Sequence, residues 1–241
     1  MDNGSKEEAT KRYVKAVTEH RLNVHHLYLD MPFNFSAINN QAVAQASGDF
    51  LLFLNNDTQV THAGWLAAMV SELQRPEVGV VGAKLLYEDD SVQHAGVLMG
   101  LGHVAGHSFR HLQDQEDGHM QRANLTQEYL AVTGACLLTK KSIFKRVGGF
   151  DAENLAVAYN DVDYCLSVYH LGYKIIYTPY AKLYHFESKS RDSDLSDKEA
   201  DRYNKERIFM QEKWGERFSS DPFYHPHLDE QTEDFRIRGN A

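Results

Sequence analysis

The chain of 241 residues is 42% hydrophobic and 24% charged, a balance that suits one large α/β domain and excludes disorder over most of the length. Its 25 Lys and Arg stand against 34 Asp and Glu, a formal charge of −9, which argues against a chain whose main task is gripping nucleic-acid phosphates. Only two cysteines, Cys136 and Cys165, are present, so no disulfide framework is expected. Apolar runs such as 50–54 fall far short of the roughly 18 to 20 residues a membrane helix needs. The polar, acidic start Met1-Asp2-Asn3-Gly4-Ser5-Lys6-Glu7-Glu8 is neither a secretory signal nor a transit peptide, so the expected location is the cytoplasm.

In chain order, Ala9, Tyr13, Val14 and Val17 lie near helical spacing and predict a helix over 6–20, followed by a short strand at His26-Leu27-Tyr28-Leu29. Residues 34–46 read as a second helix, capped by Asn34 or Ser36 and ended before Gly48. The run 50–54 reads as a buried parallel strand. After the polar break Asn55-Asn56-Asp57-Thr58, a helix over 63–73 and a strand over 78–86 follow. A strand is expected over 92–99, then a long Gly-, His-, Gln- and Asp-rich surface loop over 100–124, mobile and able to close on substrate. A strand over 129–138, helices over 141–147 and 157–170, short strands over 173–177 and 182–186, and a helix over 198–214 complete the pattern. The alternation predicts an open α/β sheet with ligands at the carboxyl ends of its strands.

Four constellations could carry chemistry. Leu54-Asn55-Asn56-Asp57 ends a strand on an acid and two amides, a set that reaches a hard cation and phosphate oxygens together or, alternatively, forms an Asx-rich turn. Asn160-Asp161-Val162-Asp163 places two acids at the start of a helix, where a carboxylate serves as a general base or as a cap. Tyr184-His185 puts an imidazole at a strand end, a good Mn²⁺ ligand beside a carboxylate, or an ordinary surface or core histidine. His103, His107 and His111, with His94 and His119 nearby, have zinc-like spacing only if helical. Gly100, Gly102 and Gly106 oppose a helix there.

Taken in order, these pieces resemble a GT-A glycosyltransferase of family 2, the inverting family that includes rhamnosyl-type and other cell-surface polysaccharide enzymes. Asp2-Asn3-Gly4-Ser5 is similar to the acidic turn after that family's second strand, and Asn40 with Ala46-Ser47-Gly48-Asp49-Phe50 to its next helix and strand. Asn55-Asn56-Asp57 sits at the Asp-x-Asp position, with Asn55 replacing the first acid. Gly134-Ala135-Cys136-Leu137-Leu138 and Gly148-Gly149-Phe150-Asp151 resemble the acceptor-side strand and turn. Asn160-Asp161-Val162-Asp163 matches Glu-Asp-x-Asp with Asn160 replacing the Glu, and Tyr184-His185 matches the late metal-ligand histidine.

The resemblance implies a Rossmann-like nucleotide-diphospho-sugar transferase fold, a three-layer α/β/α sandwich with a mixed sheet, amino-terminally truncated because the family's first strand, helix and second strand would precede Asp2. It implies one domain over 1–241, with a donor-side half over 1–99, an acceptor-side half over 100–190 and a carboxyl-terminal helix and tail over 191–241. Asp161 is then the catalytic base. Asp2, Asn40, Asn55, Asn56 and Asp57 are donor-binding, Asp57 and His185 hold Mn²⁺ or Mg²⁺, and His94, His107, Gly134, Ala135 and Asp163 are acceptor-side. Asp163 is expected to be a cap or structural partner rather than the base. The implied donor is a nucleotide-diphosphate sugar and the acceptor a saccharide or lipid-linked saccharide, without nucleic acid, and with peripheral membrane association at the inner face and dimerisation through an exposed sheet edge as further expectations. Rival readings are a non-catalytic sugar- or nucleotide-binding fragment and a zinc hydrolase built on the histidine loop.

Overall fold

The computed structural model of the chain describes residues 1–21, 23–101, 104–186, 197–229 and 232–238. Among them, β1 (Phe50–Leu54), β8 (Cys136–Lys140), β3 (Val78–Leu86), β9 (Lys174–His185) and β2 (Thr58–Val60) lie side by side in that order in one seven-stranded sheet. β4 (Val92–His94) pairs with β3, and β7 (Gln127–Tyr129) with β9. β3 and β9 run parallel, whereas the other neighbours are antiparallel. β5 (Val97–Met99) and β6 (Ala105–His107) form a separate ribbon.

β3 is buried along all nine residues, as its nearly continuous apolar sequence requires of a strand covered on both faces. On one face Val78, Val81, Ala83 and Leu85 meet Met69 and Leu73 of α3 (Trp65–Leu73). The other face packs on Ile143 and Phe144 of α4 (Lys141–Val147), Val162 and Leu166 of α5 (Asn160–His170), and Met210 of α6 (Asp197–Phe218). Three layers result. Gly82 is the point of closest approach: a Cβ there would lie 2.4 Å from the Val132 side chain, so glycine lets residues 130–135 lie against β3.

The run 50–54 was expected inside a parallel sheet, but β1 is antiparallel to β8 and stands at the sheet edge, with Phe50 and Leu54 exposed. Its inner face holds it in place. Phe53 lies 5.4 Å from the Phe144 ring and 4.9 Å from Phe150, which in turn meets Tyr164, and each such pair adds about 0.5–1.5 kcal/mol beyond area burial. Asn40 of α2 (Phe35–Gln45) braces this cluster, its amide donating to the Phe150 carbonyl at 2.8 Å and accepting from the Phe150 N–H at 3.0 Å. Asn34 caps α2 by accepting from the Ala37 N–H, and α1 spans Glu8–His20.

Other boundaries shift for identifiable reasons. The strand expected at 26–29 is a single parallel bridge between Asp2 and Tyr28. The strand over 92–99 breaks at Gly96, whose φ of +106° turns the chain, and the strand over 129–138 breaks because residues 130–135 leave the sheet between β7 and β8. The two strands expected over 173–186 are one, with a register shift opposite Ala83 and Lys84. Of β2, only Thr58 falls within the polar break expected at 55–58. α5 begins at Asn160 rather than at 157.

The described part of 100–124 is a packed segment and not an open surface loop. It contains β6 and 3-10 turns over His119–Asn124 that are kinked at Met120 and Gln121, where φ is 52° and 62°, and it buries Val104, Ser108, Phe109 and Ala123. An ion triad fastens it to the sheet. Asp114 lies 2.8 Å from the wholly buried Lys84 ammonium of β3 and 2.5 Å from that of Lys182 on β9. Among the described residues, no helix is long and apolar enough to cross a membrane.

Candidate active site

β1 delivers the chain to Asn55-Asn56-Asp57, and β2 then runs back beside the end of β9, pairing Thr58 with His185. Two hydrogen bonds fix this corner, from the Asn55 N–H to the Ala135 carbonyl at 3.0 Å and from the Phe186 N–H to the Asp57 carbonyl at 2.8 Å. The Thr58 hydroxyl also donates to the Asn55 carbonyl at 2.8 Å. Asp57 Oδ1 comes within 3.2 Å of His185 Nε2, and Asn55 Nδ2 within 3.1 Å of the same nitrogen. Asn56 is exposed at the tip.

Asp57 Oδ1 is buried and takes no hydrogen bond despite that proximity. A buried carboxylate oxygen left unbonded is costly, and here it shares its space with an imidazole nitrogen. One carboxylate oxygen and one imidazole nitrogen side by side would hold a divalent ion such as Mn²⁺, which would supply positive charge beside a bound diphosphate. The residues fit such an ion. Among the described residues no group of three or more His, Cys, Asp or Glu could hold a metal. His107 lies on β6, His111 stacks on Tyr87 with ring centroids 5.3 Å apart, and His103 falls outside the described residues.

Asp161 stands in the first turn of α5, just after Tyr159, which adopts a left-handed φ of 60°. Its carboxylate accepts from the Gly134 N–H at 2.7 Å and the Val162 N–H at 2.8 Å. Gly134 permits the approach, since even a Cβ there would press to 3.3 Å from Asp161 Cβ. Asp163, two residues on and so on another face of the helix, is buried and committed to α6, accepting from Trp214 Nε1 and Lys213 Nζ at 2.7 Å each. That arrangement leaves Asp161 as the more accessible carboxylate of the pair.

The segment 133–135 joins the two halves. The Ala135 carbonyl holds Asn55, the Gly134 N–H holds Asp161, and the Thr133 N–H points at His94 Nε2 at 3.5 Å. His94, expected on the acceptor side, is wholly buried, its ring 4.8 Å from that of His107 between centroids. Burial above all, then the nearby His107 and His185, holds its pKa well below the ordinary value, and the ring stays neutral. Half-buried His107 approaches the Gln93 carbonyl with Nδ1 at 2.9 Å.

Asn40, expected beside the donor, spends both ends of its amide on Phe150. Asp2 accepts from the Ser5 N–H at 2.8 Å and lies 3.4 Å from His26. Its pKa is lowered mainly by the Ser5 hydrogen bonds, with His26 contributing. Both residues line a cleft of about 530 Å³ beneath α1 that also presents Lys6, Lys11 and Tyr28. Sequence reasoning missed Gln93, which touches His185 twice; the available signal was a polar Gln-His pair just ahead of the apolar run Val97-Leu98-Met99.

Residues 1–148 match the family profile described as Glycosyl transferase family 2. The chain belongs to that family. It is 42% identical over 235 residues to the uncharacterized protein y4gI of Sinorhizobium fredii, covering 98% of this chain and 26% of that protein. It is 41% identical over 216 residues to the O-antigen biosynthesis protein RfbC of Myxococcus xanthus, covering 87% of this chain and 16% of that one. The family 2 domain seen here thus spans a minor part of the curated relatives it matches. Its fold is that of GT-A glycosyltransferases. The mannosyltransferase PcManGT of Pyrobaculum calidifontis, solved with GDP-Man and Mn²⁺, aligns with a TM-score of 0.52 at 15% identity over 77% of this chain and 46% of its own. GalNAc-T7, solved with UDP, GalNAc and Mn²⁺, aligns at 0.62 and 11% identity over 95% and 52%.

Proposed function

We propose that this family 2 domain transfers a sugar from a nucleotide-diphosphate sugar to a hydroxyl of a saccharide or lipid-linked saccharide acceptor, with inversion and with a divalent ion on the diphosphate. The observation that carries the reading is the pairing of Asp57 Oδ1, buried and unbonded, with His185 Nε2 3.2 Å away, on a corner tied through residues 133–135 to Asp161. Asp57 and His185 hold the ion, and Asn55 supports them. When bound, the ion supplies positive charge against the leaving diphosphate. Asp161, oriented by two N–H groups, takes the proton of the acceptor hydroxyl as its oxygen bonds to the anomeric carbon. The bond from that carbon to the diphosphate breaks, and the diphosphate leaves with the electron pair. One displacement inverts the centre.

RfbC, by name an O-antigen biosynthesis protein, and the neighbours solved with Mn²⁺ and GDP-Man or UDP support this substrate class. The same reading sets the work in the cytoplasm, at the inner membrane face where the acceptor is lipid-linked. The test is calorimetric titration with GDP-mannose and UDP-GalNAc, with and without Mn²⁺, alongside assay of nucleotide release. Asp57→Ala is expected to abolish Mn²⁺-dependent donor binding; unchanged dependence in that variant would displace the site, and binding without any turnover in the parent would favour a non-catalytic module. Self-association through the open edge of β1 belongs to the same reading, and a monomer at all concentrations in sedimentation velocity would remove it.

A further inference from the structure

Gln93 is 1% exposed on β4, between Val92 and His94, and both ends of its amide are directed at one other residue. Its Oε1 lies 2.7 Å from His185 Nδ1, and its Nε2 donates to the His185 carbonyl at 3.3 Å. The second bond settles the orientation of the amide. Were it flipped, its oxygen would face the His185 carbonyl oxygen, two acceptors with no proton between them, and its NH₂ would face Nδ1.

An amide oxygen carries no proton, so at 2.7 Å the proton in the bond to Oε1 belongs to Nδ1. A neutral imidazole with Nδ1 protonated keeps a bare lone pair on Nε2. That lone pair faces the Asn55 amide at 3.1 Å, which can donate to it, and Asp57 Oδ1 at 3.2 Å, which cannot. The unbonded state of Asp57 Oδ1 follows, since it confronts a second electron-pair donor rather than an N–H.

We infer that Gln93 is the positioning residue of the site: it locks His185 in the Nδ1–H tautomer and so presents the Nε2 lone pair to the space shared with Asp57. The inference rests on the divalent-ion reading for its purpose, while the tautomer itself is a property of the metal-free protein. A carboxamide doubly bonded to an imidazole and its own carbonyl, behind the ring, is the kind of partner whose loss weakens metal binding about 10–100-fold.

The experiment uses ¹⁵N-labelled, metal-free protein at pH 8 and long-range ¹H–¹⁵N correlation spectra of the histidine rings, with His185→Gln identifying the His185 signals. The parent is expected to show protonated Nδ1 and unprotonated Nε2. Gln93→Met, similar in length but without the amide acceptor, is expected to populate the Nε2–H form and to bind Mn²⁺, titrated with UDP present, about 10–100-fold more weakly. Gln93→Glu keeps an acceptor and is expected to restore the Nδ1–H form and most of the affinity, a rescue that a purely space-filling role would not produce. An Nε2–H or doubly protonated ring in the parent overturns the inference even if Gln93→Met does not fold. So does a folded Gln93→Met protein with the parent's tautomer and affinity. The expected tautomer shift in a parent that binds no Mn²⁺ with UDP would uphold the role of Gln93 and reject the ion reading instead.

Discussion

Asp161 and Asp163 share one turn of α5, and their partners separate their roles. Asp161 holds two backbone N–H groups and the margin of residues 133–135, whereas Asp163 is drawn under α6 by Trp214 and Lys213. Asp161→Asn keeps the shape and can still orient its carbonyl oxygen toward Gly134, but it cannot take up a proton. Turnover is expected to fall roughly 10²–10⁴-fold, the usual weight of a general base, with donor affinity measured by calorimetry unchanged; near-parental turnover would remove Asp161 from the role. These acids were legible in the sequence because motif order placed them. His94 and Gln93 were not, since neighbouring strand residues point to opposite faces and a sequence does not state which face is filled. His94 was assigned to the acceptor side and is instead buried.

At the scale of elements, the segment 100–124 was read as mobile on its glycines and polar residues. The Lys84–Asp114–Lys182 triad and buried Phe109 fasten it to β3 and β9, contacts so distant in sequence that no local pattern reveals them. Asp114→Ala leaves the Lys84 ammonium buried without its counter-ion and is expected to cost roughly 3–5 kcal/mol in urea unfolding, with faster hydrogen exchange over residues 104–124. Burial would raise the Asp114 carboxyl, but Lys182 and Lys84 outweigh it and hold the pKa below the ordinary value. The unfolded chain therefore binds this proton more tightly. The triad's contribution is full above about pH 4 and is lost as pH falls through the depressed value, so the difference in stability between parent and Asp114→Ala is expected to narrow in acid. A constant difference down to pH 2 would contradict the assignment.

For the whole molecule, helix positions were readable because 3.6-residue spacing and caps are local, and β3 was readable because a strand buried on both faces is nearly continuously apolar, Lys84 being its one charged residue. Strand order and direction were not, since they depend on partners far along the chain, as the edge position of β1 shows. The parallel pairing of β3 with β9 sets Val81 beside Ile176 and Leu85 beside Leu183, and Asp57, Gln93, Gly134, Asp161 and His185 come from five separate stretches around that seam. Contacts of such long sequence separation must be closed before they return any free energy, which slows folding toward milliseconds to seconds. The corner at Asp57 gains its histidine only when β9 docks, so competence to bind donor should arrive with the last closure of the chain. In refolding from urea, recovery of Mn²⁺-dependent nucleotide binding is expected to share the rate constant of the change in fluorescence of Trp65 and Trp214; binding that returns first would mean that the site assembles without the seam. If the refolding rates coincide, ligand capture by this domain would report on complete folding, and a half-folded chain emerging during synthesis is expected to hold no donor.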